Sequence, residues 1–457
     1  MKISRNTPTL LVVLVACAVA FAVAGAPVAA QDTGSASFAS YVALGDSLTQ
    51  GFSSGGVFAG VQVNSYPALI ARQAGVADFE QPLISAPGIP GLLHLQSLIP
   101  TIIAPVAGNG APTNLNLPRP YNNLAVSGFD TRDVLVTLTG NPIIDVTLRG
   151  LGPAIGQALA LQPTFATVWL GNNDALGAAT SGVVNDATLT PLAQFEMDYR
   201  MVVGALAQAG AQIVVATIPD VTAIPFVTTL PPVLVDPATQ QPVLVNGQPV
   251  PLIGVNPATD RVLLSAQVAL AQGFGIPVQL GGNGLPLPDA VVLSGNEIAT
   301  ISDRIAGFNN VIRTVAGEVG GVVVDINGFF RGVVQNGFEV GGIGFDVEFL
   351  TGGIFSYDGV HPTPFGYAVV ANQFIAAINE GFGAALEPVD LFPFVFGPDG
   401  SAGTSLVIPP QGFVFTPEAA AQVIELFQEP EATDGSDPGE EETPESTGGL
   451  RARRLGG

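Results

Sequence analysis

Four short runs along the chain are almost continuously apolar: Tyr41 to Gly45, Phe165 to Leu170, Gln212 to Ile218 and Gly321 to Ile326. A strand with one wet face alternates apolar and polar residues. A strand buried on both faces does not, so these runs predict inner strands of a sheet covered on both sides. Between them, apolar positions recur at helical spacing. Leu192, Phe195, Tyr199, Val202, Val203 and Leu206 share one face, and Ile298, Ile301, Ile305, Phe308, Ile312, Val315 and Val319 share another. Ser294 and Glu297 are spaced as a capping box at the start of the second helix. Thr363 and Pro364 predict the cap and first position of a last helix running to about Phe382. Strand and helix alternate, which predicts the α/β class: a three-layer α/β/α arrangement around a central parallel sheet.

Two stretches break the alternation. Residues 81–120 are rich in Leu, Ile, Pro and Gly, and residues 222–289 carry many prolines and hairpin-like pieces such as Val243-Leu-Val-Asn246-Gly247-Gln. Both are too long to be plain connections in a compact domain. They read as apolar insertions over one end of the sheet, either as lids or as packing away from the site. The domain they interrupt spans residues 38–385, and residues 386–428 read as a C-terminal extension, an apolar strap or small subdomain.

The two ends differ from the body. Residues 1–30 hold Lys2 and Arg5, an apolar run from Leu10 to Ala24 and small residues up to Ala30, the layout of a secretory signal peptide cleaved before Gln31. Two alternatives are an uncleaved membrane anchor and a lipoprotein, the latter because Leu14-Val-Ala-Cys17 resembles a bacterial lipobox. Either would give membrane association through the N-terminal segment; all three place the protein outside the cytoplasm, secreted or in the cell envelope. Eight acids between Glu429 and Glu445, among Pro, Thr, Gly and Ser, predict a disordered acidic tail over residues 429–457.

Charge and composition narrow the chemistry. A net charge of −23 on 457 residues repels phosphate backbones, so no nucleic-acid partner is expected. With 1 Cys and 2 His, neither an internal disulfide nor an ordinary zinc site can form, and no metal or cofactor is expected. Gly45-Asp46-Ser47-Leu48 would expose a serine where the first predicted strand ends, at the edge where open α/β sheets bind ligands. A serine hydroxyl is a weak nucleophile until a base takes its proton. Of the two histidines, His361 lies in Asp358-Gly-Val-His361-Pro-Thr with a carboxylate three residues upstream, able to fix its tautomer, whereas His94 has no acid nearby and reads as a packed or partly exposed residue of the first insertion. Gly171-Asn172-Asn173-Asp174 follows the second predicted strand with an amide side chain, and Ser127-Gly128 offers a backbone N–H that a ligand can approach. Gly51-Phe-Ser53-Ser-Gly55 also fits G-x-S-x-G, but that elbow needs a strand running directly into it, and the strand ends at Gly45.

Taken together, Gly45-Asp-Ser47-Leu-Thr-Gln-Gly, Asn123-Leu-Ala-Val-Ser-Gly128, Gly171-Asn-Asn173-Asp and Asp358-Gly-Val-His361 resemble, in order, four sequence blocks of the SGNH family, also called GDSL hydrolases. The resemblance spans residues 41 to about 382 and implies a flavodoxin-like α/β/α fold and ester hydrolysis. It makes Ser47 the nucleophile, His361 the base and Asp358 its orienter. The backbone N–H groups of Ser47 and Gly128 and the side chain of Asn173 become the oxyanion hole. The apolar insertions favour acyl esters of a lipase or carboxylesterase. Removal of acetyl groups from carbohydrate is the alternative within the family, and a non-catalytic apolar-ligand-binding surface protein is the alternative outside it.

Overall fold

The chain is described here in a computed structural model over residues 31–98, 101–237, 239–396 and 413–426. The signal-peptide reading of residues 1–30, Cys17 within it and the acidic tail lie outside the described residues. Four strands, β1 (Tyr41–Gly45), β2 (Phe165–Trp169), β3 (Gln212–Ala216) and β4 (Val322–Val324), form one parallel sheet in chain order. The helices that frame it are α1 (Ser47–Gln50), α2 (Tyr66–Gln73), α3 (Asn173–Ser181), α4 (Leu192–Gln208), α5 (Gly295–Glu318), α6 (Ile326–Asn336) and α7 (Pro364–Phe382).

Both faces of the sheet are dry. Val42, Leu44, Ala166, Val168, Ile213 and Val215 belong to one apolar core with Phe195 and Tyr199 of α4 and Ile301 and Phe308 of α5. Tyr41, Phe165, Trp169, Val214, Ala216 and Val324 point into a second core with Leu69 and Ile70 of α2 and Phe374 and Ile378 of α7. Successive strand residues thus feed opposite cores, which is why the strands read as unbroken apolar runs. The result is a three-layer α/β/α fold. Helix starts follow their capping signals: Ser294 and Glu297 make a reciprocal capping box on α5, and the Thr363 hydroxyl accepts from Gly366 N on α7, each worth about 1 kcal/mol. The fourth apolar run is shorter than predicted. Asp325 caps α6 by accepting from Gly328 N, so Ile326 opens a helix instead of closing a strand.

A fifth extended stretch lies along β1. Ala43 N donates to Asn122 O at 2.8 Å, and Leu124 N and Val126 N donate to the carbonyls of Ala43 and Gly45 at 3.0 and 3.2 Å. Counting this stretch as an edge, the spatial order is residues 122–126, β1, β2, β3, β4; the stretch follows β1 in the chain but lies on the side away from β2, so the order reverses beside β1. Open α/β sheets hold ligands in the crevice beyond the carboxyl ends of strands at such a reversal, and Asp46 and Ser47 emerge there.

The insertions build their own structure. In the first, Leu93–Leu98 and Thr101–Pro105 pair antiparallel, and Phe413–Phe415 from the C-terminal extension adds to the latter in parallel. In the second, Leu244–Val245 and Gln248–Pro249 form a hairpin turned at Asn246-Gly247, and Leu252, Val255, Val262 and Leu287 make a small separate core with Val292, just beyond the insertion. The side chain of Gln267 in the second insertion grips the extension: its Nε2 donates to Phe413 O at 3.2 Å, and its Oε1 accepts from Phe415 N at 2.6 Å.

Candidate active site

The turn after β1 is made by what glycine lacks. A Cβ on Gly45 would lie 2.0 Å from Thr49 Oγ1 and 2.8 Å from Trp169 O, so no side chain fits where the chain leaves the sheet. Asp46 then caps α1. One carboxylate oxygen accepts from Leu48 N at 2.9 Å and the other from Asn172 Nδ2 at 2.8 Å. Asp46 is fully buried, and the loss of water pushes its carboxyl up to about 6 despite both bonds. Ser47 follows as the first residue of α1.

The loop before α7 brings Asp358 and His361 to that serine. His361 Nε2 lies 2.8 Å from Ser47 Oγ, and His361 Nδ1 lies 3.0 Å from Asp358 Oδ2. Asp358 Oδ1 accepts from the N–H groups of Val360 and His361 at 2.9 and 2.8 Å, and Oδ2 accepts in addition from Gly55 N at 2.8 Å. Burial pushes the Asp358 carboxyl up, but the adjacent His361 ring and the N–H donors outweigh it and hold the group below its ordinary value. An ionised carboxylate only accepts, so Nδ1 of His361 carries the proton and Nε2 is left to accept from the Ser47 hydroxyl. The Phe52 ring lies 4.6 Å from the imidazole, centroid to centroid, and Ser47, Asp358 and His361 are all buried.

The three donors named from the sequence come from three elements that meet at the same strand ends. Ser47 N–H is a first-turn donor, for which a helix offers no internal acceptor. Gly128 N–H has no hydrogen-bond acceptor among the described residues. The residue before it is clamped to α1: Ser127 N and Oγ both donate to Gln50 Oε1, at 3.0 and 2.5 Å, while Gln50 Nε2 donates to Thr147. Asn173 opens α3, and its Nδ2 donates to Phe129 O at 2.8 Å. A carbonyl only accepts, so the nitrogen of the amide must face it, and one amide N–H is left over.

Buried acids stand behind these donors. Asp174 Oδ2 accepts from Thr131 N and Thr131 Oγ1 at 3.0 and 2.8 Å, so consecutive residues of α3 fasten the loop just after Gly128 at two points. Burial and the charge of Asp130 push Asp174 up to about 7; burial and the charge of Asp133 push Asp130 up to about 6.

Other residues weighed in the sequence fall elsewhere. Ser53 lies in a short hairpin, Phe52–Ser53 against Gly56–Val57, and its hydroxyl donates to Pro362 O at 2.9 Å. The G-x-S-x-G match is therefore a hairpin turn and not a strand-to-helix elbow. His94 lies on Leu93–Leu98, with Nδ1 2.9 Å from Ala104 O. Three positions went unread in the sequence: Gln50, Asn123, whose Nδ2 donates to Thr49 O at 2.8 Å, and the N–H of Gly55. Gln50 and Asn123 lie inside matched blocks, where the motif itself was their signal, whereas Gly55 had only its nearness to the first block.

An open α/β sheet with a hydrogen-bonded serine and histidine at its switch point is the frame of a hydrolase. The family model described as GDSL-like lipase/acylhydrolase matches residues 41–374, and the chain belongs to that family of ester-bond hydrolases. No curated protein sequence matches the chain. Among solved structures, the chain is similar to a variant of Axe2, an acetyl-xylooligosaccharide esterase from Geobacillus stearothermophilus, at 14% identity over 74% of this chain and 93% of that one, with a TM-score of 0.35. It is also similar to LAE5, an alpha/beta hydrolase enzyme from the metagenome of Lake Arreo, Spain, at 14% identity over 74% of this chain and 94% of that one, with a TM-score of 0.35.

Proposed function

We propose that this chain is an exported serine esterase in which Ser47 is the nucleophile, His361 the general base and Asp358 the group that orients it. The observation that carries the reading is the continuous series from Ser47 Oγ through the imidazole to Asp358, with spacings of 2.8 and 3.0 Å. In the first half-reaction, Ser47 Oγ attacks the ester carbonyl while His361 Nε2 takes its proton, and Asp358 stabilises the imidazolium. The carbonyl oxygen, now an oxyanion, is received by the N–H groups of Ser47 and Gly128 and the remaining amide N–H of Asn173. His361 then protonates the departing alcohol. In the second half-reaction water replaces the alcohol, His361 again acts as base, and the acid leaves.

The substrate reading is an ester with an apolar acyl group. Two apolar insertions extend the sheet domain, and apolar walls gain about 0.8 kcal/mol per buried CH₂. Sugar faces stack on exposed aromatic rings. Trp169 is buried, and of the six tyrosines five are buried and Tyr357 is half-buried. That favours an acyl ester over a carbohydrate acetyl ester. Export rests on the signal-like composition of residues 1–30. A series of p-nitrophenyl esters from acetyl to decanoyl tests the substrate, run beside Ser47→Ala. Preference for octanoyl over acetyl, with Ser47→Ala inactive, is expected. Preference for acetyl would move the assignment to carbohydrate deacetylation, and turnover by Ser47→Ala would end it.

A further inference from the structure

We infer that Gln422, on the C-terminal strap of residues 413–426, is a positioning residue for the acid of the triad. The inference rests on the reading of Ser47, His361 and Asp358 above, and it assigns part of the active-site framework to a segment beyond residue 374, where the family match ends.

The link runs through Gly55. Its N–H donates at 2.8 Å to Asp358 Oδ2, the same oxygen that meets His361 Nδ1. Gly55 and the preceding Ser54 form a tight hairpin turn with φ of 75° and 51°, a left-handed conformation that an L residue such as Ser54 resists. Such a turn keeps its shape only if neighbours hold it. Besides a longer bond from Tyr357 N to Ser54 Oγ at 3.4 Å, three contacts do so. Ser54 N donates to Ser356 Oγ at 2.8 Å, Leu93 N donates to Ser54 O at 2.6 Å, and Gln422 Nε2 donates to Gly55 O at 2.7 Å.

The third contact comes from farthest away in sequence and reaches the peptide unit next to the N–H that holds Asp358. The second N–H of the same amide goes to Gly91 O at 2.9 Å, so Gln422 bridges the turn to the first insertion. The fit is close: a Cβ on Gly55 would lie 2.8 Å from Gln422 Nε2 and 2.9 Å from Leu93 Cγ. The strap is itself well seated. Phe413–Phe415 pairs with Thr101–Pro105, Gln267 grips its other side, and the Phe413 ring lies 5.2 Å from Phe349 in the loop that leads to Asp358. The first insertion and the strap therefore converge on the turn that steadies the carboxylate, and the second insertion holds the strap through Gln267.

Gln422→Met keeps the length and bulk of the side chain and removes both donors; Gln422→Glu keeps its shape but turns an acceptor toward two carbonyls. Folded molecules are counted by the fluorescence of the single Trp169, and kcat is expressed per folded molecule. Loss of one such hydrogen bond predicts a fall in kcat of about threefold to tenfold in Gln422→Met, and more in Gln422→Glu, with KM within about twofold of wild type. The low-field proton resonance of His361 Nδ1–H should shift in both variants, which a purely structural role would not cause. Wild-type kcat per folded molecule in Gln422→Met, a change confined to KM, or an unmoved resonance would overturn the inference. Inactive Ser47→Ala beside fully active Gln422→Met removes the role of the strap alone, whereas active Ser47→Ala removes the reading of the site.

Discussion

Asp358 receives hydrogen bonds on both oxygens before any substrate arrives, from Val360, His361 and Gly55, and His361 is held between that carboxylate and Ser47. The opposite side of the site is built differently. Gly128 N–H has no acceptor among the described residues, and Asn173 places its amide against Phe129 O while its Oδ1 accepts from no described group. On the proposed mechanism the contrast follows from what each half would do. Groups that move protons must have their orientation and tautomer fixed in advance. Groups that receive an oxyanion must keep N–H donors open for it, with the backbone around them fastened instead. Gln50, Asn172 and Asp174 do that fastening.

The largest loss is expected at the half proposed to move protons. His361→Ala should lower kcat by about 10⁵–10⁶, because the base and the nucleophile act as a unit, with little further loss when Ser47→Ala is added. Steady-state kinetics on a single ester check this. On the receiving half, Asn173→Ala should cost only about 10²–10³ in kcat with KM little changed, since the group acts on the transition state. Equal losses from the two variants would erase the distinction between the halves.

The smallest effect expected concerns pH. Asp174 has a folded-state pKa pushed up to about 7 from an ordinary 3.8. Below about pH 4 folded and unfolded chains both hold this proton, and its contribution to stability is fully present. As pH rises toward 7 the unfolded chain releases the proton first, so stability is lost across that window, by on the order of a few kcal/mol at most. Asp174→Asn keeps an acceptor for Thr131 without the titration, so its urea midpoint should fall less between pH 4.5 and 7.5 than that of wild type. An unchanged slope would contradict the assignment.

The sequence was informative where function and fold use local signals. Continuous apolar runs announced β1, β2 and β3 because both faces of those strands are buried, and Ser294, Glu297 and Thr363 announced helix starts because caps are local. Ser47, Asp358 and His361 stood out because each lies in a short motif at an element boundary. What could not be read depends on distance along the chain. The edge stretch at residues 122–126 begins with two asparagines and shows no apolar alternation, although Asn122 Nδ2 donates to Tyr41 O and its backbone follows β1. The parallel pairing of Phe413–Phe415 with Thr101–Pro105 joins segments more than three hundred residues apart, and no local pattern encodes it. The hold of Gly55 on Asp358 and of Gln422 on Gly55 is of the same kind.

The claim that Ser47 is the activated hydroxyl is tested most directly by reacting the folded protein with a fluorophosphonate and locating the adduct by peptide mass spectrometry. The account predicts a single adduct on Ser47, absent from His361→Ala. An adduct on Ser53, or no adduct on a folded protein that still hydrolyses esters, would contradict it.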